Sequence, residues 1–175
     1  EAYFNMGVAL QNHDQVDAAI EAYKKAISIK PNYVEAYFNM GVALQSHDQV
    51  DEAMDAYKKA TSLKTDHAEA YNNMGSLLRD KGDLDKAIES YEKAISIKPD
   101  YADAHNNRGS ALKQKGKLEE AIEAYIKALT IKTDFPAAYN NIGNAFKDQG
   151  KLKKAIEAFD NANSRESRAK ALECT

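Results

Sequence analysis

The segment Glu1–Ile20, EAYFNMGVALQNHDQVDAAI, returns 34 residues later at Glu35–Met54 as EAYFNMGVALQSHDQVDEAM. The same spacing continues along the whole chain, where several columns of one residue type keep step. Columns that share one period predict tandem copies of a single structural unit. The clearest columns are Gly7, Gly41, Gly75, Gly109 and Gly143; Ala19, Ala53, Ala87, Ala121 and Ala155; and Tyr23, Tyr57, Tyr91, Tyr125 and Phe159.

Each copy contains two apolar stripes with the period of an α-helix. In the third copy, one stripe precedes a polar break at Lys81-Gly82-Asp83 and the other follows it. Gly82 can adopt positive φ at low cost, as can Gly116 and Gly150, so these glycines are predicted to end the first helix. Pro31 and Pro99 are predicted to end the second helix. The unit is therefore a helical hairpin, and because one hairpin cannot bury both stripes, the units must stack.

These residues resemble the tetratricopeptide repeat (TPR) family, whose pattern runs aromatic, Leu, Gly, Tyr, Ala, aromatic, Ala, Pro. The resemblance covers residues 1–163 and implies an all-α, right-handed α-solenoid of tandem helix-turn-helix units, approximately 1–33, 34–67, 68–101, 102–135 and 136–163. Thr65, Thr133 and Ser167 depart from the pattern where Pro31 and Pro99 follow it. The third unit matches it with Tyr71, Met74, Gly75, Leu78, Ala87, Tyr91 and Ala94.

The repeat pattern ends in the fifth unit. Asn163 replaces the apolar column Ile27, Ile95 and Leu129, and Arg165 replaces the column Ile29, Leu63, Ile97 and Ile131. Ser164 is predicted to cap a short final helix whose Ala169 and Leu172 face inwards. We expect residues 164–175 to form a capping helix or the start of a following segment. Because the chain begins inside a unit, we also expect it to be a piece of a longer protein.

Polar residues form a second stripe on the first helix of each unit, and the resemblance implies that this stripe lines the concave surface where the family binds its partners. Asparagine is a poor residue for a helix interior, so five in register favour a purpose. Its amide can pair with the N–H and C=O of an extended peptide, and the column is similar to the asparagine ladder of the protein O-linked N-acetylglucosamine transferases. The alternative is that these side chains bind a neighbouring helix. The predicted peptide-binding asparagines are Asn5, Asn39, Asn72, Asn73, Asn106, Asn107, Asn140, Asn141 and Asn144.

Two further groups of residues are assigned to this surface. Phe4 and Phe38 form an apolar patch in the first two units; they either hold an anchor residue of a partner or pack against an earlier unit or another chain. Arg79, Lys113 and Lys147 form a basic column that can attract acidic segments, although such charges are commonly only solvated.

Composition and motifs argue against catalysis and against several other classes of partner. The net charge of −3, with both signs interspersed, does not favour nucleic acid, and no apolar run approaches a membrane span. No phosphate loop, CxxC or HExxH motif occurs. His13 and His47 are interpreted as turn residues, and His67 and His105 as packing residues. We therefore expect no enzyme activity, cofactor or metal, and the lone Cys174 is consistent with a reducing, cytoplasmic compartment.

The sequence thus predicts a protein-protein interaction module that binds an extended peptide or a partner helix in its concave groove. Two alternatives stay open. The chain could be the substrate-recruiting arm of an enzyme, for example a glycosyltransferase, whose catalytic domain lies outside it. It could also be a scaffold that self-associates end to end.

Overall fold

The structure is a computed structural model that describes the backbone of residues 1–173 and the side chains of residues 1–164. Residues 1–173 form ten α-helices and contain no β-strand. The all-α solenoid class predicted from the repeat is confirmed. The helices are α1 (Ala2–Asn12), α2 (Val16–Ile29), α3 (Val34–Ser46), α4 (Val50–Leu63), α5 (Ala68–Asp80), α6 (Leu84–Ile97), α7 (Ala102–Gln114), α8 (Leu118–Ile131), α9 (Pro136–Asp148) and α10 (Leu152–Glu173).

The chain divides into two compact parts, Glu1–Leu77 and Leu78–Thr175, with the boundary inside α5. They are called the first unit and the second unit from here on, and each 34-residue repeat is called a hairpin. In the first unit, α1 packs against α2, α2 against α3, and α3 against α4; α1 also contacts α3. The second unit repeats this order from α6 to α10, with a contact between α7 and α9. Odd-numbered helices are called first helices below and even-numbered helices second helices. Adjacent first helices lie side by side within each unit.

The core of each hairpin is a contact between a glycine and an aromatic ring. A Cβ built on Gly41 would lie 2.6 Å from Cε1 of Tyr57, and one on Gly7 would lie at the same distance from Tyr23. In the second unit, Gly109 meets Tyr125 and Gly143 meets Phe159 in the same way. The alanine columns around the rings are also fully buried. Small residues are thus required where the first helix crosses the ring of the second.

The turn after the first helix contains a residue with positive φ in each of the five hairpins within residues 1–173. Gly82, Gly116 and Gly150 have φ of 82°, 81° and 73°, which confirms the prediction for these glycines. The equivalent residues of the first two hairpins are Asp14 and Asp48, both at φ 59°. Aspartate tolerates the left-handed region better than most residues, so the same turn forms without glycine.

Proline is not needed to end the second helices. Helices α2 and α6 end two residues before Pro31 and Pro99, as predicted, but α4 and α8 end at the equivalent residues Leu63 and Ile131 without a proline. The residue after each of these four helices leaves helical geometry, with ψ between 88° and 99°. The following hairpin, rather than the proline ring, sets this boundary.

A repeated contact joins the turn of one hairpin to the second helix of the hairpin before it. Nε2 of His47 lies 3.3 Å from Oδ1 of Asp17 in the first unit. In the second unit, Lys115 pairs with Asp85, and Nε2 of Gln149 donates to Oε1 of Glu119 at 3.0 Å. All three pairs are separated by 30 residues, so His47 is a turn residue that also bridges two hairpins.

The chain beyond the fifth hairpin differs from the sequence prediction. Ser164 does not begin a separate helix, because α10 continues from Leu152 to Glu173 and the Ser164 hydroxyl donates to the carbonyl of Asn161 at 3.1 Å. The hydroxyl satisfies a carbonyl of its own helix, so the predicted N-cap is wrong. Ala169, Leu172, Arg165 and Cys174 lie outside the described side chains, and a capping role for residues 164–175 stays a prediction. No helix within residues 1–173 is long and apolar enough to cross a bilayer.

We predict that Gly41→Ala destabilises the chain by about 1–3 kcal/mol, because the new methyl group would overlap the fully buried ring of Tyr57. This cost exceeds the gain of about 1 kcal/mol that alanine brings to a helix interior. Urea denaturation followed by circular dichroism measures the change. Ser62→Ala, at an exposed site on α4, is the control and should stay within about 0.5 kcal/mol of the wild type. A stabilised Gly41→Ala chain would contradict the close packing.

Candidate protein-binding surface

The predicted binding residues all lie on first helices, where the structure shows which amides are already engaged. Tyr57 is fully buried, and its hydroxyl donates to Oε1 of Gln45 at 2.9 Å. The hydroxyl oxygen of Tyr57 accepts from Nδ2 of Asn73 at 3.2 Å. Oδ1 of Asn73 in turn accepts from Nδ2 of Asn72 at 3.4 Å. A directed chain of hydrogen bonds therefore runs from Asn72 through Asn73 and Tyr57 to Gln45.

The hairpin before it uses the same arrangement. The Tyr23 hydroxyl donates to Oε1 of Gln11 at 2.9 Å and is hydrogen-bonded to Asn39. Asn39 and Asn73 thus bind the tyrosine of the preceding hairpin, which is the neighbouring-helix alternative that the sequence left open. This contact leaves each amide with further hydrogen-bonding capacity, because an asparagine offers two N–H donors and two lone pairs. Asn5 is exposed.

In the second unit the asparagines are arranged differently. Nδ2 of Asn141 donates to Oδ1 of Asn106 at 2.9 Å, and Asn106 is 7% exposed. Asn107 is half-buried and has a partner of its own. The side chains of Asn140 and Asn144 are half-buried on α9 and make no hydrogen bond within the described part of the chain. These two residues are the members of the predicted set that are half-buried and make no hydrogen bond within residues 1–164.

The basic column is largely neutralised by the chain itself. Arg79 lies 2.9 Å from a carboxylate oxygen of Asp80, and Nζ of Lys113 lies 3.1 Å from Oδ2 of Asp148. Lys147 is exposed and has no ion pair among residues 1–164. Attraction of acidic segments by this column therefore rests on Lys147 alone.

Phe4 and Phe38 are half-buried and pack towards the hairpin that follows them. The ring of Phe4 lies 5.0 Å from the ring of Tyr33, and the ring of Phe38 lies 4.7 Å from that of His67. His67 is accordingly a packing residue, as predicted. His105 is too, since it is buried with Nε2 3.0 Å from the carbonyl of Pro99. The two phenylalanines thus line the surface as partly covered rings.

The sequence analysis did not predict that the tyrosine hydroxyls form hydrogen bonds with the asparagines of this surface. Their signal was present: glutamine occupies the same position at Gln11 and Gln45, and the tyrosine column loses its hydroxyl at Phe159. In the second unit the Tyr125 hydroxyl instead donates to Oγ of Ser110 at 3.3 Å. Within the described residues, no group of three or more His, Cys, Asp or Glu side chains could hold a metal ion.

Profiles of known families match the chain along most of its length. Profiles described as TPR repeat match residues 13–48, 75–116 and 109–150, and profiles described as tetratricopeptide repeat match 34–67, 56–89 and 136–167. Together these matches cover residues 13–167. A search of curated proteins finds no match.

Solved structures give the same fold. MamA is 32% identical, with a TM-score of 0.84 over 94% of this chain and 96% of MamA. PilF of Pseudomonas aeruginosa is 20% identical, with a TM-score of 0.85 over 94% of this chain and 75% of PilF. YrrB, described as a TPR protein with an unusual peptide-binding site, is 21% identical, with a TM-score of 0.75 over 94% of this chain and 85% of YrrB. At these identities PilF and YrrB show likeness of fold alone.

Because Tyr57 is buried, the free energy of unfolding of the chain changes with pH in the alkaline range. Burial raises the pKa of Tyr57 from 10.0 to about 12, against a smaller opposing effect of the hydrogen bond from Asn73. The folded state therefore favours the protonated phenol. This contribution, on the order of 2–3 kcal/mol, is complete below pH 10 and is lost as the pH rises towards 12.

We predict that the free energy of unfolding of the wild type falls between pH 10 and pH 12, and that Tyr57→Phe falls less steeply. Urea titrations across this range measure both slopes. Phenylalanine keeps the ring against Gly41, so the difference between the slopes reports on the hydroxyl. Tyr3→Phe, at an exposed tyrosine, is the matched control and should keep the wild-type slope. Equal slopes for wild type and Tyr57→Phe would refute the effect.

Proposed function

We propose that this chain, which belongs to the tetratricopeptide repeat family, is a protein-interaction module whose first helices bind an extended peptide or a partner helix. Family membership supports the general role, since such repeats are interaction modules that generally lack catalysis. YrrB, which shares the fold, is described as having a peptide-binding site. The finer proposal concerns which side chains make the contact.

The observation that carries the proposal is the state of Asn140 and Asn144. Both amides are half-buried on α9 and free of hydrogen bonds within the described residues. A polar group that is partly removed from water without a partner gains when a ligand supplies one. Each amide offers a donor and an acceptor, which match the C=O and N–H of an extended main chain. These two residues form the proposed contact site of the second unit.

In the first unit the tyrosines support the same role by orienting the amides. Asn73 is held by Tyr57 on one side and by Asn72 on the other, so its rotamer is set before a ligand arrives. A side chain that is already ordered loses less entropy on binding. The remaining N–H and lone pair of Asn73 are the groups proposed to meet the peptide. Asn39 is oriented by Tyr23 in the same way.

Selectivity is proposed to come from the residues beside the amides. In the first unit the neighbours are the half-buried rings of Phe4 and Phe38, which favour apolar side chains of a ligand. In the second unit the corresponding positions are Asn106 and Asn140, which favour polar ones. Each unit thus carries its own preference on a common arrangement of amides.

We predict that the double variant Asn140→Ala/Asn144→Ala weakens binding by about 1–3 kcal/mol, the loss expected for two hydrogen bonds. The ligand is a peptide selected from a random library for binding to the wild-type chain, and isothermal calorimetry measures its affinity. Asn161→Ala, at an exposed amide on the second helix α10, is the matched control and should leave affinity unchanged. Wild-type affinity in a double variant that keeps its helical circular dichroism spectrum would disprove the contact.

Self-association is a second candidate, favoured by one feature of α10. Leu152 and Ile156 are 62% and 59% exposed, whereas Ile20 and Met54, the equivalents of Ile156, are 5% and 7% exposed. In the first unit, Tyr3 and Met6 of α1 are exposed as well, at the positions that cover such residues between hairpins. A second copy could therefore place its α1 against α10.

We expect Ile156→Lys to reduce the average mass of the chain in light scattering across a concentration series, because a charge would be buried in the contact. Ile126→Lys, at an apolar residue of α8 with half of its surface exposed, is the matched control. A wild-type chain that is monomeric at every concentration would reject self-association and would leave the peptide-binding proposal untouched.

A further inference from the structure

The second helices of the first unit form a groove that the proposed function does not use. It has a volume of about 440 Å³ and lies between α2 and α4, with residues of α3 as its floor. Leu44 is buried there, and Tyr37 and Met40 are half-buried. Lys24, Glu52 and Asp55 stand at its rim. The groove therefore has an apolar floor and charged edges.

The second unit shows what occupies the equivalent place in this same chain. Arg108 stands at the position of Met40, two repeats later. Its guanidinium lies 2.9 Å from a carboxylate oxygen of Glu92, and its side chain is 26% exposed, so the stem covers the floor while the charge reaches the rim. A guanidinium at this otherwise apolar position needs a polar partner, and Glu92 is that partner.

A second cation completes the charge balance in the second unit. Lys117 lies 2.9 Å from Glu120, and its hydrogen bond lowers the pKa of the Glu120 carboxyl, with the charge of Arg108 adding to the effect. Glu92 and Glu120 thus each have a cation within the chain.

The first unit lacks both cations. Met40 replaces Arg108, and Gln49 replaces Lys117. Glu52, the equivalent of Glu120, makes no hydrogen bond or ion pair within the described part of the chain. The nearby charges are held elsewhere, because Lys24 pairs with Glu21 at 2.8 Å and Asp55 lies 3.5 Å from Lys58. The groove is left with an apolar floor, an aromatic side chain and one unpaired carboxylate.

We propose that this groove binds an arginine side chain of a partner polypeptide, with the aliphatic stem on Met40 and Leu44 and the guanidinium between Tyr37 and Glu52. An arginine combines an apolar stem with a planar cation that binds carboxylates and stacks on aromatic faces. Arg108 lies close enough to Glu120, the equivalent of Glu52, for its charge to lower the pKa of that carboxyl, although its own ion pair is with Glu92, where the first unit has Lys24. The site is separate from the first-helix surface and does not depend on peptide binding there.

The test is a titration of the full, 15N-labelled chain with N-acetyl-arginine methylamide, followed by NMR. We expect saturable shifts at Tyr37, Met40 and Glu52. Glu52→Gln should weaken the affinity roughly two- to five-fold, the range for an exposed ion pair. Glu120→Gln, which removes the equivalent carboxylate in the second unit, is the matched control and should leave the affinity unchanged. Met40→Arg should abolish the shifts, because it places an arginine of the chain in the groove.

Three results would overturn the proposal. Shifts of equal size and affinity with N-acetyl-norleucine methylamide would show an apolar groove without a cation site. Equal affinity for N-acetyl-lysine methylamide would exclude arginine as the specific occupant. Wild-type affinity in Glu52→Gln, whose exposed side chain can be replaced without disturbing the core, would show that the carboxylate takes no part.

Discussion

The contact between a glycine of the first helix and an aromatic ring of the second is the constraint on which the rest of the structure depends. At Gly7, Gly41, Gly109 and Gly143 a Cβ would lie 2.6–2.7 Å from the ring, so no other residue allows the same approach of the helices. The ring then fills the space between hairpins and is almost wholly buried at Tyr23, Tyr57 and Tyr125. Close packing at this point sets the spacing of the helices, and with it the position of every surface residue.

The tyrosine hydroxyl connects the packed core to the surface residues through hydrogen bonds. A buried hydroxyl needs partners, and Tyr57 finds them in Gln45 of its own hairpin and Asn73 of the next. The asparagine column is therefore part of the structure as well as the proposed binding surface. A structural contact and a binding contact are compatible because one amide has more hydrogen-bonding groups than one tyrosine can use. Where that contact is absent, as at Asn140 and Asn144, the whole amide is available to a ligand.

Hairpins with the same fold carry different side chains at equivalent positions. Phe38 and Asn106 occupy the same position on first helices, and Met40 and Arg108 occupy the same position two residues further on. The contact between the glycine and the aromatic ring tolerates these changes because the varying side chains lie beside this contact and not within it. Arg108 covers its own groove and pairs with Glu92, whereas Met40 leaves the groove of the first unit open. Variation outside the packed columns thus gives the two units different surfaces while their hairpins stay alike.

The sequence alone determined the hairpins, their order and their packing columns, because periodicity records which residues are buried and glycine records where the backbone turns or comes close. Local patterns could not reveal which polar groups meet, since these contacts join residues of adjacent hairpins. The bond from Asn73 to Tyr57, the bridge from His47 to Asp17 and the free amides of Asn140 and Asn144 were decided by the lateral spacing of packed helices. The left-handed turns at Asp14 and Asp48 and the unbroken course of α10 past Ser164 were likewise visible only in the structure. Burial can be inferred from residue type and spacing. Hydrogen-bond partners depend on differences in distance of a few tenths of an ångström, which only the folded chain defines.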